Sequence, residues 1–243
     1  VIELEDVFKS FGEVRALQGV SFRAENGRIT GLLGPNGAGK TTALRIVYTV
    51  LQQDAGRARV DGFDTLSSPR EAQKRIGVLP DAHGLYPRLT SRENVRYFGQ
   101  LHGLSGETLE RQIEDLIRLL DMEDIADRRT EGFSTGQRVK VAIARALVQR
   151  PPNVILDEPT SGLDVPSTRS MREFIKRLRD EGAAVLFSSH IMQEVSALCD
   201  HIVVMSGGRV VASGTADELR SATGKESLED AFVTAIGSQE GLV

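Results

Sequence analysis

Residues 34–42 read Gly-Pro-Asn-Gly-Ala-Gly-Lys-Thr-Thr. They fit G-x-x-x-x-G-K-[ST], the pattern of a phosphate-binding loop. The chemistry needs each part. Gly34, Gly37 and Gly39 let the backbone turn with its N–H groups inward, with Pro35, Asn36 and Ala38 completing the nest for phosphate oxygens. Lys40 brings a mobile cation to the terminal phosphates. The Thr41 hydroxyl is suited to ligate Mg²⁺, and Thr42 adds polar capacity behind it. The flanks agree. Arg28-Ile-Thr-Gly-Leu-Leu33 predicts a strand entering the loop. Lys40 to Val50 predicts a helix leaving it, its positive end facing the phosphates. The plainer alternative, a Gly-rich turn with no ligand, leaves the lysine and threonine unexplained.

The chain of 243 residues is long enough for one large domain with a core that needs no staples. Its single cysteine, Cys199, excludes an intrachain disulfide and lies in an amphipathic stretch that predicts packing rather than chemistry. Net charge is −4, no Lys/Arg cluster is dense, and Trp is absent, so no nucleic-acid partner is expected. Apolar runs such as Ala183–Phe187 are far too short to span a bilayer. Val1–Asp6 is acidic and carries no apolar signal region. Work at a membrane would then require docking onto a separate partner.

Strands are expected over Val1–Val7, Val20–Ala24, Arg28–Leu33, Ala58–Val60 and Ile76–Leu79. From Ser91 to Arg150 the pattern turns helical. Leu109, Ile113, Leu116, Ile117 and Leu120 share one face, and Pro151-Pro152 stops the last helix. Strands then alternate with helices: Asn153–Asp157, Pro166–Asp180, Ala183–Phe187, Ile191–Leu198 and Ile202–Met205. This alternation predicts an α/β fold, a mostly parallel sheet with an N-terminal antiparallel β region. Thr215-Ala-Asp-Glu218 has the form of a capping box, and a short helix is expected over Ser227–Ala235. The helical stretch, about 85–151, is expected to interrupt a core made of 1–84 and 152–214, with a tail over 215–243.

Val154-Ile-Leu-Asp157-Glu158 is an apolar strand ending in two acids. A buried strand delivering an acid to a phosphate loop is a way to hold Mg²⁺, the role expected of Asp157. Glu158, one residue on, is placed to polarise an attacking water as general base. Ser134 and the amides of Gly136 and Gln137 open a helix whose N-terminus is expected to be a second phosphate site, the alternative being a Gly-rich cap of a structural helix.

With these residues in order, the chain resembles the ATPase subunits of ATP-binding cassette (ABC) transporters over essentially its whole length. Gly34–Thr42 stands as Walker A, Phe133–Gln137 as the signature, Val154–Glu158 as Walker B, Ser161–Asp164 as the D-loop and His190 as the switch histidine. The resemblance implies ATP and Mg²⁺ as cofactors and a head-to-tail dimer with a second such ATPase subunit, each ATP held between one subunit's Walker A and the other's signature. It implies that His190 contacts the γ-phosphate and holds the attacking water in line with Glu158, and that Phe11 stacks on adenine. It also implies that Asp164 belongs to the nucleotide site. An integral membrane permease would be the partner, placing the chain in the cytoplasm at the inner face of the membrane. The surface from Asp81 to about Leu89, with His83, Leu85 and Tyr86, would receive the permease, so a cysteine at 85 should crosslink to it.

Two positions depart from the family's usual pattern. Thr135 replaces a glycine, which costs little if its φ is negative. Asp81 stands where Gln is usual, which offers a charged oxygen on a shorter stem and leaves a Mg²⁺ contact from Asp81 open. The tail after Leu228–Phe232 looks like those of bacterial sodium-efflux and drug-export ATPases. The alternatives are a soluble ABC-type ATPase of DNA repair, chromosomes or translation, and a non-hydrolysing regulator. The single cassette argues against the first. Lys40, Asp157, Glu158 and His190 together argue against the second.

Overall fold

Alternation in Ile2-Glu-Leu-Glu buries Ile2 and Leu4 and turns Glu5 to solvent, which makes the first segment a strand with one wet face. The computed structural model describes residues 1–81 and 84–237. The strand β1 (Ile2–Phe11) runs further than its pattern suggested and turns into β2 (Val14–Ala24), with Phe11 opposite Val14. The predicted nucleotide strand is β3 (Arg28–Leu33), and the loop leads into α1 (Lys40–Val47). α1 stops short of Val50 because Thr49 sits at φ 65, outside helical space.

Next come β4 (Ala55–Val60), the short β5 (Phe63–Asp64), α2 (Pro69–Gln73) and β6 (Ile76–Leu79). Three longer helices follow: α3 (Ser91–Leu101), α4 (Gly106–Leu119) and α5 (Thr135–Leu147). The chain then alternates through β7 (Asn153–Asp157), α6 (Val165–Asp180), β8 (Ala184–Ser189), α7 (Met192–Leu198), β9 (His201–Ser206) and β10 (Arg209–Gly214). It closes with α8 (Ala216–Thr223), opened by the Thr215–Glu218 capping box, and α9 (Leu228–Ile236).

Two sheets result. One is antiparallel, in the order β2-β1-β4-β5. The other has the order β10-β9-β3-β8-β7-β6 and is parallel except for the β9–β10 hairpin. β5, α2 and β10 were not anticipated. β10 follows Gly207 (φ 53) and Gly208 (φ 75), whose left-handed backbone closes a two-residue turn between Ser206 and Arg209.

α1 lies between the sheets. Ala43, Leu44, Ile46 and Val47 are buried with Ile2, Leu4 and Val20 on one side and Ile155 and Leu186 on the other. A second cluster covers the opposite face of the parallel sheet, where Leu33, Leu156 and Phe187 meet α5, α6 and α9 through Val139, Phe174 and Phe232. The strands of the parallel sheet are apolar on both faces, as a doubly covered sheet requires. Their C-terminal ends therefore sit on a stiff base, which fixes the loops that follow β3, β7 and β8.

Candidate active site

Three adjacent parallel strands end together. β3 runs into the Gly34–Thr42 loop, β7 ends at Asp157, and β8 ends at Ser189, one residue before His190. Ligands of open α/β sheets bind outside these strand ends.

The loop is held tightly. Lys40 Nζ donates to the carbonyls of Gly34 at 2.6 Å and Pro35 at 3.2 Å. Lys40 is buried, and desolvation lowers its pKa against the pull of Glu158 and Asp157. A Cβ on Gly34 would lie 2.3 Å from the Met205 carbonyl, so this glycine serves close approach of backbone to β9. Gly34→Ala should shift the loop and destabilise the chain by about 1–3 kcal/mol, the usual range for overpacking. Thermal melting and nucleotide titration check this, and a parental melt with parental affinity would contradict it.

Asp157 is 1% exposed. Its Oδ1 accepts from Ser188 Oγ at 2.5 Å, with Thr41 Oγ1 at 3.5 Å. A buried acid beside a threonine hydroxyl is an all-oxygen donor set that fits Mg²⁺. No cluster of three His, Cys, Asp or Glu side chains able to hold a metal occurs among the described residues.

Glu158 adopts φ 51, a conformation unfavourable for a non-glycine residue and concentrated at functional sites. Its Oε2 meets His190 Nδ1 at 2.9 Å and its Oε1 lies 3.9 Å from Lys40 Nζ. Burial raises its pKa above the ordinary glutamate value, while His190 and Lys40 oppose the shift. The arrangement supplies a carboxylate of raised basicity next to an imidazole and an ammonium.

The remaining expected residues lie elsewhere. Ser134 caps α5 by accepting from Gln137 N–H, and the Gln137 side chain accepts from Ser134 N–H at 3.1 Å. Thus the Gln137 amide is engaged within the capping box, and Gly136 is partly exposed beside it. Thr135 has no positive φ, so the side chain in place of glycine is tolerated. Its methyl lies 3.6 Å from where a Cβ on Gly162 would be. Asp164 caps α6 by accepting from Ser167 N–H at 2.8 Å, and hydrogen bonding from Ser167 lowers its pKa. No hydrogen bond or ion pair joins Ser134, Gly136, Gln137 or Asp164 to the Gly34–Thr42 loop among the described residues. Phe11 is 50% exposed, with Lys9 Nζ 5.5 Å from its ring centre. Asp81 is exposed two residues past β6, the strand paired with β7. His83 lies outside the described residues. Leu85 is half-buried against the core, and Tyr86 is exposed in edge-on contact with Tyr97.

Sequence reading passed over two buried groups. One is Ser188. The other is Glu194 on α7, which is 3% exposed and accepts from Thr160 Oγ1, with Ser189 Oγ at 3.5 Å. Its only signal was a carboxylate on the inward side of a short amphipathic helix. Cys199 is a packing residue, its thiol pKa pushed up by burial.

The family described as ABC transporter matches residues 17–161. ABC transporter ATP-binding protein NatA of Bacillus subtilis (strain 168) is 44% identical over 97% of this chain and 98% of its own. The linearmycin resistance ATP-binding protein LnrL of the same organism is 32% identical over 98% of this chain and 79% of its own. A solved ATP-binding subunit of an ABC transporter superposes with a TM-score of 0.89 at 30% identity, covering 97% of this chain and 99% of that one. A dimeric ATP-binding cassette in a post-hydrolysis state with ADP and Pi superposes with a TM-score of 0.80 at 27% identity, covering 88% and 98%. Matches of this extent and kind favour the transporter reading over a soluble repair or translation ATPase. The chain belongs to the ABC transporter family, as an ATP-binding, ATP-hydrolysing subunit.

Proposed function

We propose that this chain powers export through a separate membrane permease, working as a head-to-tail dimer at the inner face of the membrane. The observation that carries the catalytic part is the position of Glu158, between His190 Nδ1 and Lys40 Nζ and directly after Asp157. In this reading Lys40 and the loop amides bind the β- and γ-phosphates. Thr41 and Asp157 hold Mg²⁺, which neutralises charge on the phosphate oxygens when bound. Glu158 takes a proton from the attacking water, and His190 keeps the carboxylate and the γ-phosphate in register. Phe11 stacks on adenine. Ser134 and Gly136 of the second subunit close over the phosphates, with Asp164 of the D-loop nearby.

The dimer is supported by the dimeric relative with ADP and Pi. The export direction is supported by a relative named Nod factor export ATP-binding protein I, of Burkholderia lata. No helix among the described residues is long and apolar enough to cross a membrane. The helical unit, about 85–151, is read as an insertion between the adjacent strands β6 and β7 of a core formed by 1–84 and 152–214. The tail is 215–243, of which 238–243 lies outside the described residues.

Tyr86 is the better contact candidate on the permease surface, because Leu85 packs inward. Asn94 and Thr130 hold the Tyr86 backbone, so replacing its side chain keeps the loop in place. Cys199 is half-buried and its thiol pKa is pushed up, so it should compete little for a thiol reagent. Tyr86→Cys is therefore expected to crosslink to the co-expressed permease in membranes. Crosslinks confined to cysteines on the far face, at Ser206–Arg209, would overturn this docking surface.

A further inference from the structure

The strand leading to His190 also delivers a hydroxyl. Ser188 is fully buried and stands opposite Asp157 in the β7–β8 ladder. Its Oγ donates to Asp157 Oδ1 at 2.5 Å and accepts Glu158 N–H at 3.0 Å. A hydroxyl has one proton, and a backbone N–H can only donate. The Ser188 proton is therefore directed to the Asp157 carboxylate. Thr41 Oγ1 also approaches Oδ1, at 3.5 Å. The same Ser188 oxygen holds Glu158 N–H, and the Ser188 carbonyl accepts it at 3.3 Å, where Glu158 takes its unfavourable φ of 51. One side chain thus ties the candidate cation acid to the backbone that aims the candidate base.

We propose that Ser188 is a positioning residue: it orients the Asp157 carboxylate for Mg²⁺ bound with nucleotide. The proposal rests on the reading of Asp157 as the acid that holds Mg²⁺. Outer hydrogen-bond partners of a ligating carboxylate fix its direction and its basicity, and losing one costs roughly 10–100-fold in metal affinity. A purely structural Ser188, sealing the ends of two strands, would lower the melting temperature and leave Mg²⁺ dependence alone.

The test needs no turnover. A fluorescent, non-hydrolysable ATP analogue is titrated into the parent chain, Ser188→Ala, Ser188→Cys, Ser188→Thr and Asp157→Asn, over a Mg²⁺ series and in EDTA. The melting temperature of each variant is taken in EDTA. Asp157→Asn should abolish the gain in affinity that Mg²⁺ gives. Ser188→Ala should need roughly 10–100-fold more Mg²⁺ for the same gain, with parental affinity in EDTA. Ser188→Cys, a weak donor of similar size, should follow Ala and serves if Ala does not fold. Ser188→Thr keeps the hydroxyl and should restore the parental midpoint. A parental Mg²⁺ midpoint in the folded Ala or Cys variant overturns the proposal, and so does an equal loss with and without Mg²⁺. A parental gain in Asp157→Asn instead overturns the reading of the acid itself.

Discussion

Glu158→Gln is expected to lower ATP turnover roughly 10²–10⁴-fold, the range for loss of a positioned base. Gln keeps the shape and removes the basicity. Nucleotide affinity should survive, because Lys40, Thr41 and Asp157 are untouched. The raised pKa gives a second observable. The carboxylate is the active form, and burial moves its protonation above the ordinary glutamate range. Parental turnover should therefore fall on the acid side at a higher pH than an exposed glutamate would give. The stability effect runs the other way. A folded pKa above the unfolded value favours the folded chain while Glu158 is protonated, and that contribution is lost as pH rises through the folded pKa. At pH 8 the nucleotide-free Gln variant should melt no lower than its parent. Full turnover in Glu158→Gln would move the base to another group, with His190 and Asp81 next to test.

Lys40→Ala should remove hydrolysis and sharply weaken ATP binding. The residue supplies a full positive charge at short range in a buried loop, where charge interactions are stronger than in water. Loss of such a clamp on a transferring phosphoryl group costs on the order of 10²–10³-fold in rate, and the affinity loss adds to it. Its Nζ is also the donor to the Gly34 and Pro35 carbonyls, so the variant loop loses an internal tie. ATPase assays and nucleotide titration read both effects. Parental activity in this variant would remove the phosphate-binding assignment of the loop.

Much of this candidate site is legible in the sequence, because its parts are local. Gly34–Thr42, Asp157-Glu158 and His190 each follow directly from an apolar strand, and adjacent parallel strands bring such ends together. What escaped the sequence depends on contacts between distant segments. Ser188 acquires meaning only from its register against Asp157, and Glu194 only from Thr160 packing over α7. The positive φ at Glu158 has no sequence signal, since glycine is the usual mark of that conformation. α1 ended early for the same kind of reason, at Thr49. β10 was different: Gly207-Gly208 before Arg209-Val-Val is a hairpin signal that sequence alone carries. Leu85 and Tyr86 were grouped as contacts, yet only the fold separates the half-buried leucine from the exposed tyrosine.

The central claim is that ATP is sandwiched between two copies of this chain and cleaved with Glu158 as base. The most direct measurement is the hydrodynamic size of Glu158→Gln on a sizing column, with and without MgATP. A variant that binds ATP and cannot cleave it should collect as the closed pair. The account predicts a monomer without nucleotide and a dimer with MgATP, reversed by replacing ATP with ADP. A Glu158→Gln chain that binds ATP, fails to hydrolyse it and stays monomeric at all nucleotide concentrations would contradict the sandwich for this subunit.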